Sequence, residues 1–214
     1  MNERQSSEIR NIIFDLGGVL LNINPLLSLN EFEKISGIAK EELKNRLANE
    51  HLFEKIDTGS ISPAQFRSEL CRIMDINAPD SVVDDAWNML LLDFPLPRVQ
   101  LLQQLRNNYR IFLLSNTNII HFESYTRTFY EKYNFKMTDL FDEIFLSFKI
   151  GVHKPDAGIY SYMLEHANLK PSECLFADDL LPNIEAAELQ GISGIHINSN
   201  DVIHYFENGI LSEI

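Results

Sequence analysis

Apolar positions along the chain fall into five short continuous runs: residues 11–16, 111–114, 144–146, 174–177 and 192–197. Runs of this kind suit strands that are covered on both faces. Between the later runs the spacing changes to that of a helix. Val99, Leu101, Leu102 and Leu105 share one side of a segment over 97–107, and Ile159, Tyr160, Met163, Leu164 and Ala167 recur over 156–168. A third helix over 182–190 stops at Gly191, a residue suited to the left-handed position beyond a helix end. Strands alternating with helices predict an α/β fold, a parallel sheet with right-handed crossovers.

One long segment breaks the alternation. Between the first two apolar runs no convincing strand occurs, and helical patterns cover 26–35, 41–51 and 80–92, the last begun by an aspartate cap at Asp80. Ser62-Pro63-Ala64-Gln65 has the form of a capping box with proline in the first turn, followed by Phe66, Leu70, Ile73 and Met74 on one face. Asp93-Phe94-Pro95-Leu96-Pro97 reads as a return linker, because closely spaced prolines oppose a helix. The chain therefore predicts a core made of 1–20 and 97–214, and a helical cap inserted over 21–96.

Composition narrows the function. The 214 residues carry a formal net charge of −13 with an ordinary hydrophobic fraction of 45%. Such acidity disfavours a general nucleic-acid binder or a partner of anionic membranes, which need basic patches. Two cysteines, Cys71 and Cys174, leave no disulfide framework and point to a cytoplasmic protein. The polar stretch 1–10 has no signal-peptide character, and no apolar run is long enough to span a bilayer. The six histidines show no zinc-binding spacing. Trp87 is expected in the cap interior, and His153 in a loop.

Ligands of open α/β sheets bind beyond the carboxyl ends of the strands. There the sequence places Asp15 before Gly17-Gly18, Ser115-Asn116, Lys154-Pro155 and Asp178-Asp179. Each has an ordinary reading as a cap or a polar loop. Together they place three carboxylates, a hydroxyl, an amide and an ammonium where they can converge on one crevice.

The set Phe14-Asp15-Leu16-Gly17-Gly18-Val19-Leu20, Leu114-Ser115-Asn116, Lys154-Pro155 and Phe176-Ala177-Asp178-Asp179 resembles the four motifs of the haloacid dehalogenase-like hydrolase superfamily. In pattern it is most similar to bacterial sugar-phosphate phosphatases of the α-D-glucose-1-phosphate phosphatase type. The resemblance implies a Rossmann-like core with a helical cap, a small phosphorylated metabolite as substrate, and Mg2+ as cofactor. It implies Asp15 as the nucleophile that forms an aspartyl-phosphate. Ser115 and the amide of Asn116 would bind phosphoryl oxygens, and Lys154 would neutralise their charge. Asp15, the Gly17 carbonyl and Asp178 or Asp179 would hold the metal. Asn183 matches a position that orients Lys154. In the cap, His51, Lys55 and Asp57 are candidates for reading substrate hydroxyls, and Asn22 and Asn24 lie at the expected hinge. The chain is expected to be a monomer or a dimer.

One position departs from the family pattern. Phosphatases of this superfamily usually carry a second aspartate two residues after the nucleophile, which protonates the leaving group and then activates water. Gly17 stands there. Three readings are open: substrates whose leaving group needs little protonation, with rates falling steeply towards alkyl phosphates; another group, from the cap or water, in its place; or little turnover. Two further functions stay open beside the phosphatase: a 2-haloacid dehalogenase, which needs no metal, and a degenerate binding protein.

Overall fold

Residues 9–48, 50–198 and 200–212 are described by the computed structural model. Strands β1 (Asn11–Phe14), β2 (Arg110–Ser115), β3 (Glu143–Leu146), β4 (Cys174–Asp178) and β5 (Ser193–His196) form one parallel sheet in the order β3-β2-β1-β4-β5. Alternate side chains of the central strands enter two separate cores. Ile12, Phe14, Ile111, Leu113, Leu175 and Ala177 pack on one face with α6 (Leu96–Leu105) and α7 (Ile119–Tyr133). Ile13, Phe112, Leu114 and Phe176 pack on the other with α9 (Ala157–His166) and α10 (Leu181–Leu189). Burial on both faces is why these strands read as continuous apolar runs.

Among the described residues, five helices lie between β1 and α6: α1 (Pro25–Ser36), α2 (Lys40–Leu47), α3 (Leu52–Asp57), α4 (Pro63–Met74) and α5 (Asp80–Asn88). They enclose a third core of Phe32, Leu43, Ile56, Phe66, Leu70 and Ile73, joined by Ile120 from α7. Ser62 and Gln65 form the reciprocal capping box that opens α4. The two connections to the sheet run side by side. Ile23 and Leu91 form an antiparallel bridge. The Asn22 amide donates to Asp93 O (2.9 Å), and the Leu92 amide donates to Asn22 O (2.9 Å). Arg98 ties this ribbon to the core by donating to Asp201 Oδ2 at 2.8 Å and to Asn22 Oδ1 at 3.1 Å.

Several elements differ from the sequence reading. The helix α3 stands inside 50–60, a polar stretch that gives little periodic signal. The 15-residue α7 was also unanticipated, because His121, Ser124, Thr126 and Thr128 dilute its apolar stripe. Asp80 is not a cap: it is the first helical residue, after Pro79, and makes no capping bond. That helix ends at Asn88, since the residues beyond it are drawn into the ribbon with 22–24. Pro97 is not linker but lies in the first turn of α6, where its missing N–H costs nothing. A short antiparallel pair, β6 (Phe206–Glu207) and β7 (Ile210–Leu211), follows β5. Between β3 and α9 lies one helical turn, α8 (Ser147–Ile150). No helix among the described residues is long and apolar enough to cross a membrane.

Candidate active site

The sheet register aligns the chemistry. Phe14 lies beside Leu113 on β2 and Ala177 on β4, so Asp15 leaves β1 level with Asp178 and one residue short of Ser115. The Asp15 amide still donates to Ala177 O at 2.9 Å, which holds the turn against β4. Lys154 enters from the loop after α8. Its ammonium bridges Asp15 Oδ1 at 2.6 Å and Asp178 Oδ2 at 2.7 Å, with both pairs buried. The same Nζ stands 5.2 Å from the centre of the Phe176 ring.

This pairing sets the electrostatics. The Asp15 carboxyl is raised to about 7, first by burial, against the opposing pull of Lys154 and with a further push from Asp178. Burial alone would lower Lys154, but its two carboxylate partners outweigh that and raise it. Asp179 is raised as well, first by burial and then by Asp178. One cation facing three carboxylates leaves a surplus of negative charge that a divalent ion would balance.

Other groups hold these three in place. Asn183, in the first turn of α10, donates to both Asp178 oxygens at 3.0 Å, and the Leu180 amide donates to Oδ1 at 2.8 Å. Asn183 therefore orients Lys154 only through Asp178. The Asn116 side chain is committed to the backbone of Lys154: its Nδ2 donates to Lys154 O and its Oδ1 accepts from Lys154 N, both at 2.8 Å. What Asn116 can offer a ligand is its main-chain N–H, not the side-chain amide. Ser115 is buried beside it.

Three carboxylates are within reach of one cation. Asp15, Asp178 and Asp179 each offer an oxygen, and these atoms all lie within 4.8 Å of one another. Hard oxygen donors of this type fit magnesium. Gly18 makes the approach possible. Its φ is +80°, and a Cβ there would lie 2.5 Å from Asp179 Oδ2. The contact beside Gly17 is looser: a Cβ there would lie 3.2 Å from the Ile23 methyl Cδ1.

The expected cap residues divide. Asp57, at the end of α3, reaches the core, where its Oδ1 accepts from Asn118 Nδ2 at 2.9 Å. His51 and Lys55 are exposed and engaged within the cap. His51 Nδ1 lies 3.2 Å from Glu54 Oε2, and Lys55 Nζ donates to Glu50 O. Asn22 and Asn24 are engaged at the expected hinge position by fixed contacts, Asn22 with Asp93 and Arg98, Asn24 as the cap of α1. His153 donates its Nδ1–H to Lys154 O (2.8 Å), while its Nε2 lies 3.6 Å from Glu54 Oε1. Trp87 joins cap to core by stacking between Phe53 and His121. Burial lowers His121 to about 3, so it stacks as a neutral ring.

Two contributors went unseen in the sequence. Ser147 accepts from Thr117 N at 2.9 Å and donates to Thr117 O at 3.0 Å, fixing the loop after β2. His196 contacts Asp179 O through Nε2 at 3.0 Å. Both stand at or just beyond the carboxyl end of a strand, so the rule that picked out Asp15 and Asp178 applies to them equally.

With this geometry in view, residues 9–191 match the family described as haloacid dehalogenase-like hydrolase. The chain belongs to the haloacid dehalogenase-like hydrolases. A haloacid dehalogenase family enzyme from Bacteroides thetaiotaomicron, solved with magnesium and inorganic phosphate, superposes with a TM-score of 0.86 at 32% identity. The alignment covers 93% of this chain and 100% of that one. A D-ribitol-5-phosphate phosphatase from the same species is 28% identical over 86% of this chain and 89% of its own length. A sesquiterpene phosphatase from Aspergillus oryzae is 27% identical over 88% and 89%. This haloacid dehalogenase-like hydrolase is accordingly a phosphoric monoester hydrolase, and its cluster of three carboxylates is of a kind that fits the magnesium of the solved relative.

Proposed function

We propose that this enzyme hydrolyses the monophosphate ester of a small polyhydroxylated metabolite, a sugar or polyol phosphate, through an aspartyl-phosphate on Asp15. The observation that carries the reading is the Lys154 ammonium held between the Asp15 and Asp178 carboxylates beside a third acid, Asp179. A carboxylate can attack a phosphate dianion only where the charge between them is neutralised. Lys154 supplies one positive charge. Magnesium, when bound, supplies the rest and polarises the phosphoryl oxygens.

Each residue then has a task. Asp15 attacks phosphorus, and the phosphoryl group passes to its carboxylate while the alcohol leaves. Ser115 Oγ and the main-chain N–H of Asn116 hold phosphoryl oxygens, with Asn116 also anchoring Lys154 through its side chain. We assign Asp15, the Gly17 carbonyl and Asp179 as direct metal ligands. Asp178 is assigned a positioning role, because its oxygens already accept from Lys154, Asn183 and Leu180. The helices within 21–96 act as the cap that encloses the substrate and excludes water. The two free cysteines accord with work in the cytoplasm.

A second reading of the substrate rests on a cavity of about 620 Å³ inside the cap, lined mainly by apolar residues including Leu29, Phe32, Leu52, Phe53 and Trp87. A cavity of that character suits a phosphate ester with an apolar tail. The deciding experiment measures phosphate release from D-ribitol 5-phosphate, hexose phosphates and a sesquiterpenyl phosphate, with magnesium and with EDTA, for wild type and Asp15→Asn. Metal-dependent release that falls by at least ~10³-fold in the variant is the expected result. The substrate with the highest kcat/KM chooses between the two readings. Metal-independent release of halide from 2-haloacids, or no turnover of any phosphate, would overturn the proposal.

A further inference from the structure

Gly17 leaves the reaction without a proton donor from the segment that carries the nucleophile, and the Ile23 methyl Cδ1 packs 3.2 Å from where a Cβ would sit. The alcohol that leaves still needs a proton unless it is very acidic, and the water that later attacks the aspartyl-phosphate must lose one. We infer that Asp57, carried by the cap, supplies and then recovers that proton. The inference rests on the phosphatase reading above.

The placement argues for it. Asp57 is the last residue of α3, and its Oδ1 accepts from Asn118 at 2.9 Å. Asn118 is fully buried and fixed from its other end, where its Oδ1 caps α7 at the His121 amide. It belongs to the same loop as Ser115 and Asn116, the loop that anchors Lys154. Asp57 is thus locked onto the segment proposed to bind the phosphoryl group. Two residues on, Gly59 takes φ +65°, and a side chain there would collide with the carbonyl oxygen of Phe148 on α8. That close backbone approach presses the end of α3 down onto the core. Only Oδ1 of Asp57 is engaged among the described residues, which leaves Oδ2 available to a substrate oxygen.

The surroundings suit a group that both gives and takes a proton. Asp57 is half-buried, and burial raises it to about 6, against the opposing influence of Asn118 and then His153. The ionisable neighbours are few. His153 faces it from the loop before Lys154, with both ring nitrogens engaged by Lys154 O and Glu54. Glu54, on α3 itself, is shared between His51 and His153. Lys149 on α8 turns instead to the rings of Phe122 and Phe148.

The proposed sequence balances. As the ester P–O bond breaks and the Asp15 oxygen bonds to phosphorus, the protonated Asp57 carboxyl gives its proton to the leaving alkoxide. The Asp57 carboxylate then takes a proton from the water that attacks phosphorus, and the bond to Asp15 breaks. Asp15 ends as a carboxylate, Asp57 is again protonated, and alcohol and phosphate are released.

The test is Asp57→Asn, which keeps an oxygen to accept from Asn118 but cannot donate an acidic proton. Rapid-mixing kinetics with p-nitrophenyl phosphate should show a burst of nitrophenolate at close to the wild-type rate, because that leaving group needs no acid. Steady turnover after the burst should be slower by ~10²-fold or more. An alkyl phosphate should lose its burst and react ~10²–10³-fold more slowly, and Asp57→Glu should recover part of that loss. Unchanged alkyl phosphate turnover in Asp57→Asn would mean that Asp57 only docks the cap, and would overturn the inference. Equal slowing of the burst for both leaving groups would overturn it too. Failure of the phosphatase reading itself gives a different signature: no phosphate release by the wild type from any ester, or release that survives Asp15→Asn and so does not pass through that residue.

Discussion

Lys154 joins the two most deeply buried carboxylates of the candidate site. It is buried with Asp15 and Asp178, and its main chain is gripped by Asn116 on both sides. Breaking a buried ion pair by removing one partner costs about 3–5 kcal/mol, because the charge left behind has no counterpart. Lys154→Met is therefore expected to abolish turnover and to lower unfolding stability in urea by a few kcal/mol when metal is chelated. Magnesium should restore more stability to this variant than to wild type, since three uncompensated carboxylates then face the cation. Equal stabilisation of both proteins by magnesium would count against a shared site for Lys154 and the metal. Asp15 and Asp178 were legible in the sequence, since each sits at the end of an apolar run, and Lys154 through the loop that follows the third run. The division of labour between Asp178 and Asp179 was not, because adjacent acids carry the same signal until the positions of Asn183 and Leu180 are known.

At the scale of elements, the sheet was readable and part of the cap was not. Strands buried on both faces announce themselves as apolar runs, whereas α3 is short, half polar and held by what it touches. Its end is fixed by Asp57 on Asn118 and by Gly59 against Phe148, contacts between residues far apart in the chain. The hairpin-like return of 90–93 onto 22–24 was hidden for the same reason. Gly59→Ala tests this docking. Positive φ costs a side chain roughly 1 kcal/mol, and the collision with Phe148 adds to it. The expected result is a rise in KM of about tenfold with a lower melting temperature, while the circular dichroism spectrum keeps its helical content. An unchanged KM would show that α3 need not rest on α8 for substrate binding.

Across the whole molecule, several ionisable groups are buried, so stability should follow pH through them. The folded-state value of Asp57, about 6, stands above its ordinary value of 3.8. Its contribution to stability is accordingly complete below that ordinary value and is lost as pH rises through about 6. In chelator, wild type should lose about 1–2 kcal/mol relative to Asp57→Asn between acid and neutral pH. Asp15 titrates in both proteins and cancels from the comparison. Parallel urea midpoints for the two proteins across that range would show that Asp57 is not held in the environment described.

Ile23 has two neighbours that matter. It pairs with Leu91 in the ribbon that joins cap to core, and its terminal methyl stands against Gly17. A side chain restored at position 17 would press on the end of an exposed, flexible side chain, which need give by only a few tenths of an ångström. The bridge to Leu91 is made by the main chain, so that movement leaves the ribbon intact. From this sequence, the route to a proton donor beside the nucleophile is therefore a single, mildly crowded step rather than a closed one.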